Sequence, residues 1–411
     1  MTYDRVRLQR RFLGTLMVAQ AFGFAALATA IAYIVLLGED LLGSESWAGL
    51  PAAVLTLSAA AFSPVLARRS ARHGRRSGLF FGFVVGTIGG VATLVSGRMV
   101  SFALLLAGMV AFGAGQAAIL QTRYAAADLA EPDRRSQAIA AVVWVGTIGA
   151  VAGPFLGEAA NAHLAGFGAY GGALSLGAAF FALAAVAVMW WLRPDPLQVS
   201  GGLLVQTGGS GSGLRANLSL LWCNRRARLA TGAMIVSQAT MVAVMVMTPL
   251  HLKDHGHAGL AGPVIAIHVL GMFGLSPLVG KWADRFGSNR VIMAGGVILA
   301  SGTVMAVVAG YQPSLIFGGL LLLGLGYSFC FIAGSSLLTA AVESQVRVAA
   351  QGTGDLVVTA ISALAALGSG LVKETAGYHW LANLATTFAL LLVAVTVAAD
   401  RQKEVIANAP T

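Results

Sequence analysis

The composition of this 411-residue chain excludes an ordinary water-soluble domain. Hydrophobic residues make up 57% of the sequence and charged residues 10%, with a mean hydropathy of +0.80. Soluble domains carry roughly 25% charged residues. The formal net charge of +10 would suit a nucleic-acid ligand only if it were concentrated on a binding face. Its distribution, described below, favours a membrane orientation, so no nucleic-acid partner is predicted.

Apolar runs long enough to cross a bilayer predict twelve transmembrane helices, since about 20 residues span roughly 30 Å of hydrocarbon. The first six spans are predicted at 12–37, 48–66, 78–97, 101–123, 137–157 and 169–192. The second six are predicted at 228–250, 259–279, 291–310, 314–340, 349–372 and 380–399. The first run, from Phe12 to Leu37, is too long for a signal-peptide core, so it is interpreted as span 1 of the mature protein.

Positive residues indicate the orientation of the spans. If the N-terminus is cytoplasmic, every Lys and Arg lies on the cytoplasmic side except Arg98, Lys253 and Lys373, which follows the positive-inside rule. An even number of spans returns the C-terminus to the same side. We therefore expect a multi-pass protein of a bacterial inner membrane, with the lipid bilayer as its solvent and both termini cytoplasmic.

The sequence divides into two halves that resemble each other. We predict six-helix bundles at 1–192 and 228–400, a cytoplasmic linker at 193–227 and a cytoplasmic tail at 401–411. The Gly and Ser stretch Thr207 to Gly213 has the composition of a flexible linker. Related basic loops follow span 2 and span 8, and such duplication is typical of transporters whose binding site lies between two halves.

The loop after span 8, Gly280 to Arg290, resembles the signature loop of the major facilitator superfamily, in which a Gly, an Asp-Arg pair and a further Gly precede basic residues. Gly287 permits a tight turn. Asp284 can favour a helix N-terminus, and Arg285 a helix C-terminus or an acid. The resemblance implies an all-α membrane fold of two pseudo-symmetric six-helix bundles, in which this loop acts as a conformational latch.

The corresponding loop of the first half is incomplete. Arg72, Gly74 and Arg75 remain, but Ala67 and Ala71 stand where the family has Gly and Asp. We therefore do not expect the usual Asp-mediated latch in the N-terminal half.

A second resemblance lies in span 5, where Gly149, Gly153, Pro154 and Gly157 are similar to a motif associated with the family's antiporters. The motif's usual final Gly is Glu158 here. Small residues four apart also let helices pack closely, so a packing seam is the alternative interpretation. The family's span 4 arginine motif is weaker, because Met109 stands at the place expected for Arg.

Ionisable residues inside spans are costly and usually functional, and Asp355 is the clearest one. Gln351, Asp355, Thr359 and Ser362 follow spacings of four, four and three, which places them on one face of span 11. A carboxyl group held out of bulk water there is suited to binding and releasing a proton. The alternative is a carboxylate permanently paired to another helix.

Two further residues are candidates for proton coupling. His268 lies near the middle of span 8 and can titrate near physiological pH, although a histidine satisfied in a helix interface is the alternative. Arg123 lies near the cytoplasmic end of span 4, seven residues after Gln116. The family fold implies that it can pair with Asp355, whereas snorkelling to the interface is the alternative.

Candidate cavity residues are Gln116 and a face of span 7 rich in methionine, a residue that fits irregular partners. Helix packing explains such a stripe equally well. The full set of candidates, including Gln351 and Thr359 of span 11, is Gln20, Gln116, Trp144, Met234, Gln238, Met241, Met245, Tyr327, Gln351 and Thr359.

The sequence offers little enzyme chemistry. It has no P-loop, and no cofactor or resident metal is predicted. His251, His255, His257 and Asp254 after span 7 resemble a metal-binding cluster, but a hydrated external loop is the preferred interpretation. The prediction is a proton-coupled exporter of small amphipathic compounds, functional as a monomer and not an enzyme. The alternatives are a symporter importing a nutrient or ion, and a non-transporting receptor or assembly partner.

Overall fold

The computed structural model describes residues 5–43, 49–163, 170–201, 213–257, 260–309 and 312–407. Within these residues all regular structure is helical, and twelve helical segments are long and apolar enough to cross a membrane. The predicted fold class, an all-α membrane protein with twelve spans, is confirmed.

The observed helices keep the numbering of the predicted spans. Spans 1 to 6 are Arg5–Leu42, Leu50–His73, Arg75–Arg98, Phe102–Ala127, Arg135–His163 and Gly171–Trp191. Span 7 is Arg225–Asp254, span 8 consists of Ala261–Phe273 and Ser276–Phe286, and span 9 is Ser288–Val308. Spans 10 to 12 are Pro313–Ala341, Arg347–Ala376 and Tyr378–Ala407.

Most helices extend beyond the predicted limits. Hydropathy marks only the part of a helix that crosses hydrocarbon, whereas the helix continues through polar residues at both surfaces. Span 8 differs in another way, because its helix is interrupted at Gly274 and Leu275. Pro277 lies in the first turn after the interruption. A proline has no amide hydrogen to donate and its ring clashes with the preceding turn, which favours a break there.

The same pairs of helices pack together in both halves of the sequence. Span 4 packs against spans 1, 2 and 3, and span 6 packs against spans 1 and 3. Span 10 likewise packs against spans 7, 8 and 9, and span 12 against spans 7 and 9. This repetition agrees with the duplication that the two basic loops indicate.

The chain forms two compact units, each of which includes a segment from the other half of the sequence. The first unit contains Met1–Glu131, Ala141–Ser219 and Val342–Ala360, so the beginning of span 11 belongs to it. The second unit contains Pro132–Ala140, Leu220–Ala341 and Ile361–Thr411, so the beginning of span 5 belongs to it.

The predicted linker contains two short helices, Pro196–Val199 and Leu214–Cys223. Leu197 is buried in the first unit, where it packs with Ala67 and Val348. The Gly and Ser stretch that is expected to be flexible lies outside the described residues, apart from Gly213.

Candidate functional site: buried charges at the start of span 11

Span 11 enters the first unit with a polar face. Gln351, Asp355 and Thr359 are all buried, although the helix is otherwise rich in alanine, leucine and valine. Ser362, also buried, lies in the part of span 11 that belongs to the second unit. Spacings of three and four residues bring side chains to one side of a helix. The polar stripe is therefore directed to protein and away from the surface of the unit.

Asp355 forms an ion pair with Arg123 of span 4. The Arg123 Nη2 atom lies 2.5 Å from the Asp355 Oδ1 atom, and both side chains are only 2% exposed. The hydroxyl of Tyr124 accepts a hydrogen bond from Arg123 at 3.1 Å and donates one to Asp355 Oδ1 at 3.4 Å. The second carboxylate oxygen, Oδ2, is buried without a hydrogen-bond partner in the described part of the chain. Protonation of Asp355 therefore removes the charge that holds Arg123 in place.

Arg123 is held by neighbouring groups as well as by Asp355. Its Nη1 atom donates to the carbonyl of Leu120, one turn earlier in span 4. Its guanidinium carbon lies 4.3 Å from the centre of the Tyr124 ring, within the range of a cation–π interaction. Both contacts come from span 4, the helix that carries Arg123.

A second buried arginine contacts span 11 one turn earlier. Arg75, at the start of span 3, is 0% exposed and binds Asp128 through two hydrogen bonds of 2.7 and 3.2 Å. Its Nη2 atom also donates to Gln351 Oε1 at 2.7 Å. Two arginines and two aspartates thus form a cluster with no net formal charge, which limits the cost of burying them.

The backbone of Arg75 is fixed by Asp195, a residue after span 6 that the sequence analysis did not single out. The Asp195 carboxylate accepts hydrogen bonds from the backbone amides of Arg75 at 3.2 Å and Arg76 at 2.8 Å. It also accepts one from the amide of Leu197 at 2.9 Å. A carboxylate is favourable at a helix N-terminus because the first amides have no intrahelical acceptor. Asp195 followed by Pro196 is the sequence signal for the cap of the short helix Pro196–Val199, and it does not indicate the contact with span 3.

Gly74 makes room for that carboxylate. Its φ angle is +91°, and a Cβ atom at this position would lie 2.7 Å from Asp195 Oδ1. A larger residue would therefore be strained in its backbone and would also displace the cap. Arg72, which precedes this turn, is exposed.

In the second unit Asp284 caps the start of span 5. Its carboxylate accepts hydrogen bonds from the backbone amides of Ser136 at 2.9 Å and Gln137 at 3.0 Å, and from the Gln137 side chain at 3.2 Å. Gly287 ends the helix that carries Asp284, with a φ angle of +87°. The loop therefore holds span 5 through a charge at its N-terminus. Arg285 and Arg290 are exposed, and Arg285 lies over the ring of Phe286.

The equivalent contact in the first unit is apolar. Ala71 stands where Asp284 stands in the other half, and it packs against a small cluster of Ala67, Leu197 and Val348. Val348 is the second residue of span 11. The start of span 11 is thus covered by methyl groups at the place where the start of span 5 binds a carboxylate.

The helix crossings at the starts of span 5 and span 11 carry their glycine on different helices. A Cβ atom on Gly280 would lie 2.6 Å from Ala140 Cβ and 2.7 Å from the Ser136 carbonyl of span 5. In the first unit Ala67 takes the place of Gly280, and the glycine of the crossing is Gly352 on span 11. A Cβ atom on Gly352 would lie 2.8 Å from the Ser63 carbonyl and would also contact Ala67. Each crossing therefore contains one glycine and one alanine, in reversed positions.

Comparison with known proteins identifies the family. The family model of the Major Facilitator Superfamily matches residues 13–274 and 229–410. The chain belongs to this superfamily. Its members move small-molecule substrates across membranes, so the protein is a transporter with many spans in the membrane.

Similar proteins from bacteria cover nearly the whole chain. The MFS-type transporters YdeG and YddS of Bacillus subtilis, both described as uncharacterized, are 33% and 34% identical over 95% of this chain and 92% and 91% of their own lengths. The riboflavin transporter RfnT of Brucella anthropi is 28% identical over 90% of this chain and 92% of its own length.

Solved structures of the superfamily share the fold. The human organic anion transporter MFSD10 has a TM-score of 0.76 at 15% identity, covering 94% of this chain and 99% of that one. A bacterial homologue of the iron transporter ferroportin, in an outward-facing state, has a TM-score of 0.76 at 14% identity and covers 94% and 98%. At these identities the likeness concerns the fold alone.

The superfamily's antiporter-like motif in span 5 packs against span 1. Cβ atoms at Gly149 and Gly153 would lie 2.8 Å from the Ala25 amide and 2.6 Å from the Ala25 carbonyl, respectively. Gly157 is similarly close to Thr29, while Pro154 is half-buried. The glycines therefore serve close packing of two helices of the first unit, which was the alternative interpretation of this motif.

The predicted cavity residues of spans 1, 4 and 5 lie in different environments. Gln20 of span 1 accepts a hydrogen bond from Thr122 of span 4. Gln116 is half-buried, and its Oε1 atom has no partner in the described residues. Trp144 is 39% exposed, so it does not belong to a packed cluster.

The methionine stripe of span 7 is largely a packing surface. Met234 is buried against span 10, where its sulfur lies 3.5 Å from Ser335 Oγ and a Cβ at Gly334 would lie 2.8 Å from its Cγ. Met241 is also buried, whereas Gln238 and Met245 are half-buried. On span 10 the Tyr327 ring stacks on Phe331 at 5.1 Å.

The histidines after span 7 correct one expectation. His251 is not in a hydrated loop: it belongs to the span 7 helix, is 4% exposed, and stacks on the ring of Tyr378 at 4.3 Å. His255 lies 4.4 Å from His251 between ring centres. No group of three His, Cys, Asp or Glu residues in the described ranges could hold a metal ion. The helix continues because the apolar pattern of span 7 extends to Leu252 and buries one side of this turn.

Proposed function

We propose that this transporter is proton-coupled and exports small amphipathic compounds across a bacterial inner membrane by alternating access. The observation that carries the proposal is the buried ion pair of Arg123 and Asp355, which joins a helix of the first sequence half to a helix of the second. A carboxylate in such a place is the natural acceptor of a coupling proton.

Proton binding would act by switching the strength of one contact. With Asp355 ionised, the attraction of Arg123 and the hydrogen bond of Tyr124 hold span 11 against span 4. With Asp355 neutral, the guanidinium loses its counter-charge, and the separation of the two helices becomes less costly. A proton therefore biases the two conformations through its different affinity for them.

Gln351 provides a second tie that does not respond to protons. Its amide oxygen accepts a hydrogen bond from Arg75, whose charge is balanced by Asp128. Because an amide does not titrate, this contact keeps its strength whether or not Asp355 is protonated. It therefore favours the same register of span 11 in every transport cycle. His268 is the second candidate for a protonation or hydrogen-bonding site.

The test is dye transport by the reconstituted protein under an imposed pH gradient. Ethidium serves as the amphipathic probe, with wild type compared to Asp355→Asn and Asp355→Glu. We expect the gradient to accelerate ethidium movement in wild type, not in Asp355→Asn, and partially in Asp355→Glu. Asp133→Asn, an exposed loop position, is the matched control. Gradient-driven movement that survives in Asp355→Asn would show that the coupling group is elsewhere.

Import of a nutrient is the second candidate, and the relative named as a riboflavin transporter makes riboflavin the compound to test. Riboflavin counterflow tests whether this vitamin is a substrate, and the direction of the imposed pH gradient that drives net riboflavin accumulation separates import from export. Proteoliposomes preloaded with unlabelled riboflavin should accumulate labelled riboflavin if this vitamin is the substrate. Absence of counterflow together with ethidium transport supports export of other amphipathic compounds.

A further inference from the structure

His268 of span 8 is 0% exposed, and only one of its two ring nitrogens has a partner in the described chain. The Nδ1 atom lies 2.8 Å from the carbonyl oxygen of Leu320 on span 10. The Nε2 atom is buried without a hydrogen-bond partner. Buried polar atoms are nearly always paired, so this nitrogen requires an explanation.

The Leu320 carbonyl determines which nitrogen carries the hydrogen. A carbonyl oxygen can only accept, so Nδ1 must be the donor of this hydrogen bond. Burial without a carboxylate among its described contacts favours the neutral ring. In a neutral ring with hydrogen on Nδ1, Nε2 carries a lone pair. The side chain therefore presents an acceptor, and its missing partner is a donor.

Two glycines fix the ring in this position. A Cβ atom on Gly324 of span 10 would lie 3.2 Å from His268 Nδ1 and 2.9 Å from the Met272 amide. A Cβ atom on Gly271 of span 8 would lie 3.2 Å from the Leu325 amide. Spans 8 and 10 thus approach closely enough to seat the imidazole against a backbone carbonyl. The close packing of these two helices holds the imidazole against the Leu320 carbonyl.

We propose that His268 Nε2 accepts a hydrogen bond from an N–H or O–H group of the transported amphipathic molecule. This inference rests on the proposed export function and refines its substrate class. Compounds with a donor on an apolar, planar framework should be preferred over analogues in which every donor is alkylated. A site that binds a donor discriminates against an analogue without one, because its own buried acceptor is then left unpaired.

Two substitutions separate the roles of the two ring nitrogens. The amide of Gln reaches the position of Nε2, so His268→Gln keeps an acceptor there and loses the bond to Leu320. The shorter amide of Asn reaches the position of Nδ1, so His268→Asn keeps the bond to Leu320 and loses the acceptor. Thermal unfolding of both purified variants reports whether the seat between spans 8 and 10 is intact.

Rhodamine 123 and tetramethylrhodamine methyl ester form a suitable pair of probes, because they share one cationic ring system and differ by methylation of the amino groups. Both are measured in proteoliposomes with an imposed pH gradient and a clamped membrane potential. We expect wild type to prefer rhodamine 123 by about five- to tenfold, the range of one hydrogen bond at a buried acceptor. His268→Gln should keep the preference, and His268→Asn should lose it.

Three results would overturn this assignment. One is that the wild-type protein transports both dyes equally or transports neither. This result would exclude compounds with a hydrogen-bond donor on a planar framework as the preferred substrates. Another is a preference that persists in His268→Asn, which makes the ring structural. The third is a loss of gradient-driven transport of both dyes in both variants, while the variants still bind rhodamine 123 in preference to its methylated analogue. That result would show that Nε2 binds a proton and not the substrate. The export function itself is judged separately, by the response of ethidium transport to Asp355→Asn.

Discussion

Arg123 and Asp355 are 232 residues apart in the sequence, yet their side chains meet at 2.5 Å in a place where both are almost completely buried. The contact joins span 4 to the beginning of span 11, and both segments belong to one compact unit. Tyr124 donates to the carboxylate and accepts from the guanidinium, so it favours the ionised form of the pair.

Tyr124→Phe tests that arrangement with a minimal change. It removes the hydroxyl and keeps the ring beneath the guanidinium. We expect a loss of about 1.5 kcal/mol in the free energy of unfolding at pH 8, the lower end of the range for a hydrogen bond to a charged group, because this bond is long at 3.4 Å. The loss should be smaller at a pH low enough to neutralise Asp355. Equal losses at both pH values would show that the hydroxyl does not act through the ion pair.

The reversed glycine and alanine positions predict a rescue experiment. Gly352→Ala places a methyl group against Ala67 and should destabilise the protein by about 1–3 kcal/mol, the range for overpacking. Adding Ala67→Gly removes the opposing methyl and should recover part of this loss, because the Ser63 carbonyl still lies 2.8 Å from the new Cβ atom. The pair Gly280→Ala and Ala140→Gly is the equivalent test in the second unit. Additive losses in thermal unfolding would contradict the packing that we describe.

Asp284→Ala should loosen the start of span 5. The substitution removes the acceptor of the Ser136 and Gln137 amides, and loss of a helix cap costs about 0.5–2 kcal/mol. Hydrogen–deuterium exchange of the peptide containing these amides should accelerate about two- to thirtyfold, since 1.4 kcal/mol corresponds to tenfold. The peptide at the start of span 11 is the internal control, because its covering cluster is apolar. Unchanged exchange in span 5 would rule out the cap as a stabilising contact.

Asp195→Ala should destabilise the start of span 3 and, through it, Arg75. Three backbone amides lose their acceptor, which predicts a loss of about 1–2 kcal/mol in the free energy of unfolding. Asp195→Asn should lose less, because an amide oxygen still accepts hydrogen bonds. Asp133→Ala, in an exposed loop, is the control. A stability equal to wild type in Asp195→Ala would mean that water replaces the carboxylate without cost.

Apolar periodicity and length predicted the twelve spans, because bilayer thickness imposes one length on every crossing helix. The face shared by Gln351 and Asp355 followed from helical spacing alone. The pairing of Asp355 with Arg123 was expected from the family resemblance alone, and the contacts of Arg75 with Gln351 and Asp128 were not predicted, since they depend on how the helices pack. Tyr124 and Asp195 were missed for the same reason. A tyrosine within an apolar span and an aspartate after one have no periodic signal, although the proline after Asp195 marks a helix start.

The interruption of span 8 and the burial of His251 show a further limit of sequence patterns. Hydropathy averaged over a whole span does not register a break of two residues such as Gly274 and Leu275. It also gave no indication that a histidine near the end of span 7 would stack on Tyr378. Both features depend on contacts with helices that are distant in the sequence.

Proton release on substrate binding is the most direct test of the coupling role of Asp355. If substrate binding competes with its protonated form, ethidium added to weakly buffered, purified protein near the pH of half-protonation should release a fraction of one proton, up to about one per molecule bound. Asp355→Asn should bind ethidium without releasing a proton, and Asp133→Asn should behave as wild type. The account is contradicted if Asp355→Asn releases as many protons as the wild-type protein.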